Sequence, residues 1–222
     1  MLHLHRLFSL LVTVSCPLLG VAQTSAPKEN HCTLFVGLGA LIGSYQLPSG
    51  LSANVVSPVP MVGVQVQPRL AIQASAAYYQ ESQSAIGGAP LVTQGQVKYL
   101  RVEGNDRRRT VPVLVLGRYT LTRRAEKHFQ ADVLTGITLL HSSLNQQRTI
   151  FDTTGVATST NNYVTTTTST YFALGASARY RMKPHLDLMT DWVFNKLLNG
   201  QSGVPSRLSA TLSVGLRYRF EL

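Results

Sequence analysis

A chain of 222 residues, 44% hydrophobic and only 14% charged, has room for one large β domain or two small ones. Beyond residue 25 no window approaches the roughly 18 consecutive apolar residues of a spanning helix, so helical membrane crossing is excluded there. The formal net charge of +10 raises nucleic acid as a partner, but no helical reading unit or aromatic-plus-basic motif accompanies it, so nucleic acid is set aside.

The chain opens MLHLHR, with Arg6 as a positive flank. LFSLLVTVSCPLLGVA and the small residues of VAQTSA follow. This reads as a secretory leader over residues 1–24, with one domain over 25–222. A lipoprotein reading would use Cys16, but Thr13-Val14-Ser15 fits a lipobox poorly. Cys16 leaves with the leader, so Cys32 has no partner for a disulfide or a cysteine-based metal site. No metal or cofactor is expected.

Eight stretches alternate with the strand period of two. They are Cys32 to Gln46, Val56 to Gln67, Leu70 to Gln80, Thr110 to Leu121, His128 to Leu144, Tyr163 to Met182, His185 to Asn195 and Arg207 to Leu222. In the last, Leu208, Leu212, Val214, Leu216, Tyr218 and Phe220 fall on one side, and Arg207, Ser213, Arg217 and Arg219 on the other. Most strands have about five or six residues, so these are long. Connections at Pro68-Arg69, Thr122 to Lys127 and Lys183-Pro184 are short, and those at 47–55, 81–109, 145–162 and 196–206 are long. Both termini therefore lie at the short-turn end.

Alternation alone does not say which face meets solvent. A soluble lipocalin-like barrel would put the apolar set inside and the arginines outside. A transmembrane barrel reverses this. The leader, the strand length, the alternation of short and long connections, and the small residues on the polar face favour the membrane. A spanning sheet must also close, because an unpaired backbone group in lipid costs several kcal/mol. The expectation is an eight-stranded antiparallel up-and-down transmembrane barrel, monomeric and in the outer membrane. Its lumen is expected to hold Arg118, Asp132, Arg179, Arg181, Asp187, Asp191, Arg217 and Arg219, with Glu221 a further partner. Tyr180, Tyr218 and Phe220 are expected in an aromatic girdle near the short turns. Tyr78, Trp192 and Phe194 are expected in the opposite girdle. Pro112, which cannot donate to a ladder, predicts a bulge or broken bond.

Ser213, Gly215, Tyr218 and Phe220 fit polar-x-Gly-x-x-aromatic-x-aromatic. This resembles the C-terminal signal by which outer-membrane barrels are handed to the barrel-assembly machinery, although Glu221-Leu222 follow. With VPVLVLGRYTL, the Pro-Arg and Lys-Pro turns and GLRYRF, residues 31–222 resemble the small outer-membrane β-barrel family of the Bacteroidetes, often labelled porin-like. The resemblance implies the barrel, the envelope location and the assembly partner, and no particular activity.

His141 and Ser143 share one strand face, and Asp152 follows. The arrangement is similar to the His-x-Ser of an outer-membrane lipid A deacylase, in which an acid orients the histidine. An ordinary polar rim is the preferred reading, and no enzyme is expected. Arg107, Arg108 and Arg109, with Lys98 and Arg101, suit either a solvated loop or attraction to lipopolysaccharide phosphates or an acidic ligand. The Thr165 to Thr168 run predicts a hairpin extending past the membrane. The expected role is structural, adhesive or ligand-binding through segments 81–109 and 145–162. A narrow porin is the alternative.

Overall fold

In the computed structural model the described residues are 33–47, 52–93, 96–122, 128–152, 154–199 and 208–221. The expected leader and Cys32 lie outside them, as does the side chain of Glu221. The strands are β1 (Thr33–Gln46), β2 (Ser52–Gln67), β3 (Leu70–Ala76), β4 (Tyr79–Thr93), β5 (Gln96–Thr120), β6 (Phe129–Phe151), β7 (Ala157–Lys183), β8 (Leu186–Leu197) and β9 (Leu208–Glu221). All neighbours are antiparallel. β1 pairs with both β2 and β9, and β3 pairs with both β2 and β5, so the sheet closes on itself. β3 and β4 occupy successive stretches of one wall position, both beside β5 in a single register. The ring therefore has eight strands. The C-terminal strand closes it, since Thr33↔Glu221 through Gly43↔Thr211 are ladder partners.

Two features depart from the sequence expectation. Segments 81–109 and 145–162, expected as long connections, are mostly ladder among the described residues, with a turn at 152–156. β4 and β5 pair from Tyr79↔Thr110 to Thr93↔Gln96, and β6 and β7 pair out to Phe151↔Ala157. Both faces of these extensions carry polar residues, so no apolar alternation marks them as strand. The last short turn lies at Pro184-His185, one residue later than expected.

Pro112 sits where the wall changes partners. Ala77 N donates to Pro112 O at 3.0 Å, and proline returns no N–H, so the wall strand breaks between β3 and β4 at Ala77-Tyr78. On the other side, the β2–β3 ladder ends at Met61↔Ser75. Had its register continued, Pro60 would face Ala76 and Pro58 would face Tyr78, again without donors. The Ser57 hydroxyl substitutes, donating to Tyr78 O at 2.6 Å and accepting from Tyr78 N at 3.2 Å. Three prolines thus release β4 from β2, and one serine stitches the gap.

Candidate functional site

The inward face is charged. Arg118, 1% exposed, donates from Nη1 to Asp132 Oδ2 at 2.9 Å and to Ser177 Oγ at 2.8 Å. Its Nη2 donates to Asp191 at 2.8 and 2.9 Å and to Gln73 Oε1 at 2.9 Å. Arg179 approaches Asp132 from the next level, with Nε and Nη2 at 2.6 and 2.7 Å, and also donates to Thr120 Oγ1. Four strands supply the two arginines and two aspartates of this cluster, and their charges cancel. Below it Arg217 donates to Asp187 Oδ2, and its guanidinium lies 4.6 Å over the Phe35 ring. Arg219 Nε stands 3.4 Å from the same Asp187 oxygen, and its Nη2 donates to Pro184 O. Arg181 shares the inward parity at the short-turn rim but joins no ion pair among the described residues.

Above the charges the lumen changes character. Leu41, Tyr45, Leu47, Val55, Val59, Ala77, Leu140, Tyr171 and Leu197 form one buried cluster. The Tyr45 and Tyr171 rings meet edge-on at 5.6 Å, and the Tyr171 hydroxyl donates to Gln46 O. Between the two layers lies a cavity of about 10 Å³, lined by Leu41, Met61, Gln73, Leu116 and Asp191 among others. That is about the room one water molecule needs.

The outward face carries the opposite chemistry. Leu38, Ile42, Val115, Tyr119, Val133, Ile137, Leu174, Leu188, Leu212 and Leu216 are among the exposed large apolar side chains. Tyr78, Tyr180, Trp192, Phe194, Tyr218 and Phe220 also point outward and are at least 41% exposed. At the short-turn end His128 stacks with Tyr180 and His185 lies beside Tyr218. Trp192 and Phe194 pair on β8 at 5.4 Å. Charges buried within and an apolar belt without are the polarity of a lipid-embedded wall. The chain is a transmembrane barrel. No family model matches it, and no curated protein aligns with it. Its fold is similar to solved outer-membrane proteins. With OprG from Pseudomonas aeruginosa the TM-score is 0.49 at 12% identity, over 86% of this chain and 97% of that one. With Ail, the attachment invasion locus protein of Yersinia pestis, it is 0.43 at 10%, over 86% and 99%. With Neisserial surface protein A it is 0.40 at 14%, over 85% and 97%.

Past the rim, β4, β5, β6 and β7 continue as a four-stranded sheet. One face extends the lumen parity and carries Glu81, Asp106, Arg108 and Arg148, with Arg148 Nη2 3.3 Å from Asp106. The other extends the lipid parity and holds an open groove of about 350 Å³ lined by Ser84, Ile86, Glu103, Asn105, Gln147 and Thr149. From Ala157 to Ser169, β7 has no strand on its far side among the described residues. Asn199 clips the foot of this edge, accepting from Thr170 N at 2.9 Å and donating to Thr168 O at 3.0 Å.

The three residues of the hydrolase pattern are not assembled. His141 Nδ1 bonds Thr168 Oγ1 at 3.0 Å. Asp152 lies at the far tip of the β6–β7 hairpin, where its Oδ1 accepts from Thr154 N, Thr154 Oγ1 and Val156 N. Those donors hold its carboxyl below the usual carboxylate range. Sequence reasoning missed Tyr45, Gln73, Thr120, Tyr171 and Ser177. Tyr171 and Ser177 share the parity of Arg179, so their alternation already placed them inside.

Proposed function

We propose that this chain is a non-conducting outer-membrane barrel that displays its long-hairpin sheet outside the cell as a binding surface. The short-turn end, where β1 begins at Thr33 and β9 ends at Glu221, faces the periplasm. The observation that carries the reading is the pairing of a filled lumen with half a wall that continues beyond it. A porin needs a continuous water path, and the Arg118 cluster and the Tyr45–Tyr171 layer occupy it in turn. The sheet offers a partner two chemistries: the groove of hydroxyls and amides, and the β7 edge, which bears no charge from Ala157 to Thr170. An uncharged, proline-free edge can accept an added strand. Ser213, Gly215, Tyr218 and Phe220 on the closing strand are read as the contact for barrel assembly.

Planar-bilayer recording of the refolded chain tests the closed lumen. The expected record shows no unit conductance, and Tyr45→Ala with Tyr171→Ala leaves it silent because the charged layer remains. Steady unit steps from the parent protein would overturn the reading in favour of a narrow porin. A cysteine introduced as Val156→Cys, in the exposed turn of the β6–β7 hairpin, should react with a membrane-impermeant maleimide on whole cells, and no labelling there would overturn outward display.

A further inference from the structure

The arginines of β5 divide by parity. Arg118 points inward and is paired with Asp132 and Asp191, and Arg108 shares the inward parity opposite Glu81. Arg107 and Arg109 point outward, on the same face as the lipid-exposed Val113, Val115 and Tyr119. They follow directly where that apolar row ends, beside the girdle residue Tyr78. Among the described residues neither is paired with a carboxylate. Their cross-strand neighbours on this face are Gln80 and Ser82 of β4 and Ser143 and Asn145 of β6, all uncharged donors or acceptors. Gln80 Oε1 accepts from Arg107 Nη2 at 2.9 Å and from the Tyr78 hydroxyl at 3.1 Å, so one guanidinium is already oriented. Alternate residues of a strand are rooted roughly 7 Å apart, so two guanidinium groups can converge on one phosphate.

From this geometry we infer that Arg107 and Arg109 form a binding site for a headgroup phosphate of an outer-leaflet glycolipid, with Gln80, Ser82, Ser143 and Asn145 meeting the adjoining sugar. The site rests on the barrel spanning the membrane and is independent of conductance and of any partner at the sheet. A soluble anion would have no reason to favour the lipid parity over the inward one. A lipid phosphate reaches only the outer face, at the height where the apolar row stops.

The test uses the full chain folded in detergent and native mass spectrometry. Diphosphoryl lipid A is the ligand, and the same lipid stripped of phosphate is the control. The parent should retain the phosphorylated lipid, and Arg107→Gln with Arg109→Gln should weaken retention about thirtyfold, from the usual worth of two cations at an anionic surface. Removing the phosphates should weaken binding to the parent equally. Arg101→Gln, whose partner is Glu103 in the same sheet, and Arg108→Gln should leave retention unchanged. The heat-dependent gel shift of each variant reports folding, and the single change Arg109→Gln serves if the double variant misfolds. Equal retention by parent and variant would overturn the site. Displacement of the lipid by millimolar inorganic phosphate would overturn its assignment to lipid.

Discussion

Replacing Arg118 with methionine should destabilise the barrel by about 3–5 kcal/mol, the usual loss when one partner of a buried ion pair is removed. The structure says where that loss arises. Asp132 keeps Arg179, with contacts of 2.6 and 2.7 Å. Asp191 keeps only the Gln73 amide, at 3.4 Å, among the described residues. The stranded charge is therefore Asp191, and the cluster becomes net negative. Adding Asp191→Leu removes that charge and restores neutrality, so the double variant should recover more than about half of the loss. By contrast, the exposed Arg101–Glu103 pair should be worth under about 1 kcal/mol. Urea unfolding from lipid vesicles can be followed through Trp192, the single tryptophan, which faces lipid at 56% exposure. A single variant within about 1 kcal/mol of the parent, or a double variant no better than the single, would refute the argument that unpaired charge inside the lumen is what matters.

Three further outcomes follow from local geometry. A Cβ at Gly63 would stand 2.2 Å from Phe35 Cζ and 2.4 Å from Ile72 O, so Gly63→Ala should cost about 1–3 kcal/mol in the same unfolding assay. Gly117→Ala, whose nearest contact would be 3.5 Å, should cost under about 0.5 kcal/mol. Ser57→Ala should cost about 1 kcal/mol and speed hydrogen exchange at the Tyr78 amide, with little change at Val62. The lowered Asp152 pKa means that its hold on the hairpin tip is complete above the ordinary carboxylate range and is lost as pH falls through the lowered value. Protection of the Thr154 and Val156 amides, measured against their intrinsic exchange rates, should fall across that acid window, and Asp152→Asn should abolish that fall. Protection independent of pH in the parent would sink this account.

The barrel was legible because half-burial writes itself into sequence. In β8, Asp187, Met189, Asp191, Val193 and Asn195 are buried while Leu188, Trp192 and Phe194 are exposed, and the alternation placed these sets on opposite faces. Inside and outside could not come from the period alone, since reversing the labels leaves it unchanged. The hairpin extensions were illegible for the same reason. Neither hydrocarbon nor a packed lumen borders the described residues of the β4–β5 extension, so side chains there answer to no apolar surface and carry no apolar period. The tyrosine layer was half legible. Its parity was readable, but a lumen expected to be polar gave no reason to look for Tyr45 against Tyr171. The Ser57 stitch depends on where the β2–β3 register would meet Pro58, which is a tertiary fact.

Along β5 the same residue type takes three environments within twelve positions, and two coordinates decide which. Parity sets the first: an even position faces the lumen and an odd one faces away from it. Height sets the second: between Thr110 and Thr120 the surroundings are lipid and packed lumen, and beyond Thr110 they are headgroups on the outer face and water on the inner one. Arg118 is inward and deep, where a bare cation is untenable, and four side-chain partners surround it. Arg108 is inward and high, across from Glu81, where pairing is optional and weak. Arg107 and Arg109 are outward and high, where the barrel supplies no counter-charge and the surrounding membrane does. An arginine moved to an odd position deeper in the strand, such as Val115, would face hydrocarbon at a cost of about 2–4 kcal/mol. The deep odd positions of β5 are instead Val113, Val115, Gly117 and Tyr119. Arg107 and Arg109 thus mark the upper boundary of the lipid on one face, and Arg118 the core of the lumen on the other.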